Sequence, residues 1–150
     1  MTVPIYFGTL TGNAEHLAKR LVKCLQACGV EAEAQNLAEL EGEALVGVPL
    51  ACFIVSTWGE GEPPDECFDF WEEFCVAPLD LSGLQYALYG LGDRSYADFN
   101  AFGRELDERL TELGAKRVLP RVEADVDYEA EYPAWETAVK QLLQQSLISR

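Results

Sequence analysis

Basic charge is what this sequence has least of. Eleven lysines and arginines face twenty-six aspartates and glutamates, for a net charge of −15, and from Cys24 through Asp93 there is no Lys or Arg at all against fourteen acids. Such a field repels nucleic acid and anionic membranes and favours basic protein partners. Histidine occurs once, as His16, in a helical stretch with no evident acid or serine partner, and Ser56 and Ser95 likewise lack a triad. Glu60 and Glu62 read as field and docking charges rather than an acid–base pair. The five cysteines are an odd number without a CxxC pair, which in a chain without a signal peptide reads as reduced, mostly buried thiols. Cys24 and Cys28 lie one helical turn apart, but no nearby His or Cys completes a metal site, and a core role is expected. No apolar run approaches the roughly 20 residues of a membrane span. The residues after Met1, with Pro4, Gly8 and Asn13, form no signal-like apolar region, so a cytoplasmic chain is expected. There is no repeat, low-complexity tract or linker, and 150 residues suit one domain over 1–150.

Short apolar runs alternate with longer amphipathic stretches, the pattern of βαβ units and a parallel sheet. Val3–Phe7 reads as the first strand. Asn13–Cys28 reads as a helix with Leu17, Leu21 and Leu25 at helical spacing and Gly29 as its stop. Glu31–Asn36 is a weaker, edge-side strand, and Leu50–Thr57 is the best central strand. A short helix around Cys67–Cys75 is predicted to turn Phe68, Trp71 and Phe74 to one face. Tyr86–Gly90 is the fourth strand, Ala101–Leu113 a helix stopped by Gly114, Arg117–Val122 the fifth strand and Pro133–Ser146 the last helix. Trp71, Phe102 and Trp135 are expected in the core. The fold class is α/β, a doubly wound five-stranded parallel sheet with helices on both faces. Ligands of such sheets bind beyond the carboxyl ends of the strands, which directs attention to the loops after Phe7, Thr57 and Gly90.

The first loop, Gly8-Thr9-Leu10-Thr11-Gly12-Asn13, joins a strand to a helix N-terminus, where free amides and the helix dipole favour a phosphate. It holds no Lys or Arg and matches neither a P-loop nor GxGxxG, so one terminal phosphate suits it better than a triphosphate or pyrophosphate. A plain N-cap and turn is the competing reading. The second loop, Ser56 to Asp65, puts Trp58 directly after a buried strand and before Gly59 and Gly61, offering a flat stacking face beside backbone amides; Trp58 as a lid over the sheet end is its competitor. The third, Gly90 to Asn100, supplies a second aromatic, Tyr96. Two aromatics sandwiching a planar ring on a tether that ends in one phosphate describe FMN.

Taken together, GTLTGNAE, STWGEGEPPDE and GLGDRSYADFN resemble the flavodoxin family in order and spacing. They are particularly similar to the FMN-binding domain of sulfite reductase flavoprotein and related diflavin reductases, and LGAKRVLPRVEADVDYEAEYPAW extends the similarity over nearly the whole chain. The resemblance implies strand order 2-1-3-4-5 and phosphate binding by Thr9, Leu10, Thr11, Gly12, Asn13 and Ala14. It also implies a flavin flanked by Ser56, Thr57, Trp58 and Gly59 on one side. Leu91, Gly92, Asp93, Tyr96, Phe99 and Asn100 would form the other wall, with Trp58 and Tyr96 stacking and Asp125 approaching from the loop after the fifth strand. The sequence departs from the family pattern at Leu10, where a polar residue is common, and at Asp93, where Asn is frequent. With only about ten residues between the fifth strand and the last helix, it resembles the short-chain class.

The implied function is low-potential transfer of single electrons through FMN. An NADPH-dependent flavodoxin/ferredoxin reductase would be the donor and basic-faced redox proteins the acceptors. A carboxylate 10 Å from the flavin would oppose added negative charge by about 0.4–1.7 kcal/mol, so Glu60, Glu62, Asp65, Asp93 and Asp125 would lower its last potential together. The Gly59–Glu60 peptide, freed by glycine, would tune the one-electron potentials. A small NAD(P)H-dependent FMN reductase is the main alternative; against it, the chain has no second nucleotide loop and no basic patch. A receiver domain of similar topology would need clustered Asp where Gly8–Thr11 stand.

Overall fold

A computed structural model describes residues 2–8, 12–56, 67–92, 101–125 and 129–148. The strands are β1 (Val3–Gly8), β2 (Ala32–Asn36), β3 (Leu50–Ser56), β4 (Gln85–Leu91), β5 (Lys116–Arg117) and β6 (Val122–Ala124); the helices are α1 (Asn13–Ala27), α2 (Phe68–Phe74), α3 (Ala101–Glu112) and α4 (Tyr132–Ile148). All pairings are parallel, in the order β2-β1-β3-β4-β5, with β6 also on β4.

Between their ends, the central strands are apolar because each serves two layers. Ile5, Phe7, Cys52, Ile54, Ala87 and Tyr89 face one core with Leu17, Leu21, Tyr132 and Trp135 of α1 and α4. Tyr6, Phe53, Val55, Tyr86 and Leu88 face the other, with Phe70, Phe74, Phe102 and Leu106 of α2 and α3. Period-two alternation thus becomes a sheet buried on both sides. Burying one such Phe contributes about 1.5–3 kcal/mol. Strand β2, one side polar, lies at the edge as its sequence suggested.

Both long helices that precede an edge element end in the same way. After α1, the Gly29 N–H donates to the Gln26 carbonyl and the Val30 N–H to that of Leu25; after α3, Gly114 donates to Thr111 and Ala115 to Leu110. These paired 5→2 and 6→1 bonds occupy carbonyls that the helix leaves open.

Three expectations need correction. In α2 the buried residues are Phe70 and Phe74, while Phe68 is 46% exposed; with Cys67 inward, Phe68 falls on the solvent side of the turn. The fifth strand is not continuous over Arg117–Val122 but split into β5 and β6. Pro120 lies in the break, and with no N–H it cannot donate to a ladder. Finally, only Cys52 and Cys67 are buried; Cys24 and Cys28 are half-buried and Cys75 is exposed, all five being free.

Candidate functional site

The carboxyl ends of four adjacent strands stop at one level. Gly8 stands opposite Val55, Val55 opposite Gly90, and Gly90 opposite Glu123. At about 4.8 Å per strand, this rim runs roughly 14 Å from β1 to β6. Ser56, half-buried, ends β3; Leu91 ends β4 opposite Ala124; and the Gly92 N–H donates to the Ala124 carbonyl at 2.9 Å. That bond ties the chain after β4 to the segment carrying Asp125, and it occupies the Gly92 amide, which leaves Gly92 a wall rather than a donor.

Helix α1 opens onto the same rim. Its N-cap, Gly12, has φ +89° and ψ −4°, and the Gly12 carbonyl accepts the His16 N–H at 2.9 Å. A side chain resists this left-handed geometry, and among the described residues nothing lies within 4 Å of where its Cβ would be. A glycine cap brings no side-chain acceptor, so the first-turn amides of Asn13, Ala14 and Glu15 have no partner within the helix. First-turn amides without a partner inside the helix, at a positive dipole end, fit a phosphate group.

Of the residues expected at the site, the structure brings Gly12, Asn13, Ala14, Ser56, Leu91, Gly92 and Asp125 to one rim. Thr9, Leu10, Thr11, Thr57, Trp58, Gly59, Asp93, Tyr96, Phe99 and Asn100 lie outside the described residues, and so does the stacking pair. His16 does have an acidic neighbour, contrary to expectation: its Nε2 is 3.6 Å from Glu129 Oε1. Arg20 also reaches Glu129, at 3.9 Å, and Glu136, at 3.4 Å, and its guanidinium sits 4.8 Å above the Tyr132 ring. These contacts join the first two turns of α1 to the entry of α4. They are partly exposed and individually weak. Among the described residues, no three His, Cys, Asp or Glu are placed to hold a metal, and no helix is long and apolar enough to cross a membrane.

A family model for flavodoxin matches residues 5–135. The chain belongs to the flavodoxin family. FMN binding and electron transfer come with that membership, and the FMN reductase alternative is not favoured. The chain is 41% identical over 149 residues to the sulfite reductase [NADPH] flavoprotein alpha-component of Shewanella sp. strain MR-7, covering 95% of this chain and 24% of that protein. It is 36% identical over 140 residues to rabbit (Oryctolagus cuniculus) NADPH–cytochrome P450 reductase, covering 89% and 21%. It therefore spans less than a quarter of the length of these curated relatives. Among solved structures, a cysteine-to-alanine variant of the flavodoxin from Pseudomonas aeruginosa superposes with a TM-score of 0.82 at 31% identity, over 96% of this chain and 99% of that one. The flavodoxin of Streptococcus pneumoniae TIGR4 gives 0.83 at 25%, over 97% and 99%.

One charged cluster escaped the sequence reading. Asp107, 4% exposed on α3, accepts bonds from the Tyr86 hydroxyl and from the Nη1 atoms of both Arg117 and Arg121. Arg121 continues to Glu123 at 3.1 Å, and Glu123 accepts from Arg104 at 2.9 Å. Burial, first, and the bond to Asp107 push the Tyr86 hydroxyl pKa well up. The signal was present: Asp107 falls on the inward stripe of α3 with Gly103, Leu106 and Leu110, a position where a carboxylate must find partners.

Proposed function

We propose that this flavodoxin-family chain is a carrier without substrate turnover of its own. It passes single electrons from an NADPH-dependent reductase to basic-faced acceptor proteins. The observation that carries the reading is the common rim, where four strand ends and the Gly12-capped terminus of α1 meet. FMN, when bound, supplies the reversible one-electron chemistry. The chain's residues bind, orient and bias it. The amides of Asn13 and Ala14 would hold the phosphate, with Thr9 and Thr11 as hydroxyl donors and Leu10 and Gly12 as the remaining residues of the phosphate loop. Ser56, Thr57 and Gly59 would line one edge of the ring system and Leu91, Gly92, Asp93, Phe99 and Asn100 the other, with Trp58 and Tyr96 as the stacking residues. Asp125 and the neighbouring acids oppose added negative charge.

The reductase donor is supported by the names of the relatives, both NADPH-dependent, and the basic acceptor by the charge of −15. The five free cysteines support a reducing, cytoplasmic setting, and the two-layer core supports one folding unit over 1–150.

The test is an absorbance spectrum of the purified chain followed by FMN titration, then NADPH oxidation with and without an added reductase. A yellow protein that oxidises NADPH only when the reductase is present is expected. A colourless protein that takes up no FMN ends the reading, and rapid NADPH oxidation by the chain alone ends the carrier assignment.

A further inference from the structure

The split edge strand has a defined shift of register. Tyr86 faces Arg117 and Tyr89 faces Val122, so the two β4 residues between them, Ala87 and Leu88, are spanned by four on the edge, Val118 to Arg121. Two extra residues preserve side-chain parity, which is why Val122 and Ala124 still pack on the α1/α4 core. Continuing β5 without the insertion would set Pro120 opposite Tyr89, where it could not donate, and would push Asp125 two residues beyond the rim. Pro120 disfavours that register. Asp107 rewards the observed one, because its Oδ2 accepts from Arg117, just before the bulge, and from Arg121, its last residue, while its Oδ1 holds Tyr86 of β4.

We propose that Asp107 is the positioning residue that fixes the bulge, and through it sets Ala124 and Asp125 at the level of Gly92 on the flavin rim. The line of contact is continuous. Arg121 bonds Glu123, Glu123 bonds Arg104, and the next residue, Ala124, accepts the Gly92 N–H. Asp107 itself, at mid-helix, has its hydrogen bonds with Tyr86, Arg117 and Arg121, and among the described residues none of these is assigned to the rim. A neutral amide keeps its size but cannot neutralise two guanidinium groups, so the bulge loses its clamp while the core keeps its volume. The inference rests on the FMN reading for its functional consequence, though not for its structural part.

The test compares Asp107→Asn with Leu25→Ala, a core truncation in α1, under conditions where both remain folded. FMN dissociation constants, one-electron reduction potentials and hydrogen exchange at the Gly92 amide are measured for each. Asp107→Asn is expected to weaken FMN by about tenfold, shift the potentials and expose the Gly92 amide, while Leu25→Ala leaves all three as in the parent. Should Asp107→Asn not fold, Arg121→Gln breaks the outer half of the clamp and is expected to act in the same direction. Unchanged FMN affinity and potentials overturn the proposal, as do equal effects from Leu25→Ala. If the parent binds no FMN, the site assignment fails instead, and a Gly92 amide that stays protected in Asp107→Asn then overturns the clamp by itself.

Discussion

The Cys67 sulfur lies 3.0 Å from the point where a Cβ on Gly8 would stand. Gly8 ends β1 at the rim, and Cys67, fully buried, leads into α2 on the other side of the 57–66 segment. Two strand-end connections therefore meet at a contact that admits no additional atom without a shift.

Gly8→Ala is accordingly expected to destabilise. The loss of unfolded-chain freedom favours Ala by about 0.4–1 kcal/mol, but overpacking costs roughly 1–3 kcal/mol, so the net loss is about 1 kcal/mol. Cys67→Ala removes the clashing sulfur, and in the double variant the two penalties should sum to less than their separate values. Urea denaturation of the four proteins measures the coupling, and strict additivity contradicts the contact.

At α1, Gly12→Ala forces a side chain to φ +89° at a cost of about 1–2 kcal/mol. The same change disturbs the amides offered to the phosphate. FMN binding should weaken more than binding of riboflavin, which has the ring but no phosphate. Fluorescence titrations with both ligands decide it, and equal weakening removes the phosphate role from this turn.

At the end of α3, Gly114 combines φ +101° with a close neighbour: the Ser82 backbone stands 3.2 Å from where a Cβ would project. Gly114→Ala is expected to cost about 2–5 kcal/mol, from strain and overpacking together. A fall in midpoint with unchanged denaturant slope is the signature of a pure stability effect.

Alkali should unfold the protein through Cys52. Burial pushes its thiol up to about 12 from an ordinary value of 9.0, so the folded state retains a proton that the unfolded chain releases. The stability this provides is complete below the unfolded thiol's pKa and is lost as pH rises toward 12, at about 1.4 kcal/mol per pH unit. Urea midpoints between pH 8 and pH 10 should fall more steeply for the parent than for Cys52→Ala. Parallel slopes refute this account.

Much of the fold was legible in the chain itself. The alternation of apolar runs and helical stretches is local, so strands, helices and their stops at Gly29 and Gly114 could be read along it. The three loop motifs carried the family. What misled was context: Phe68 and Phe70 are both apolar, and only the docking of α2 decides which of the two turns inward. The length of the fifth strand was misjudged because a bulge depends on the neighbouring strand as well as on Pro120.

The sequence by itself determined the order of elements, the two-sided burial of β3 and β4, the glycine at the cap of α1 and the acidic field, since each follows from neighbouring residues and side-chain chemistry. Tertiary structure alone decided that Asp107 meets Arg117 and Arg121, that Gly8 abuts Cys67, and that Gly92 bonds Ala124. Those contacts join residues far apart in the chain, and their geometry exists only after helices have packed on the sheet and set its edge in register.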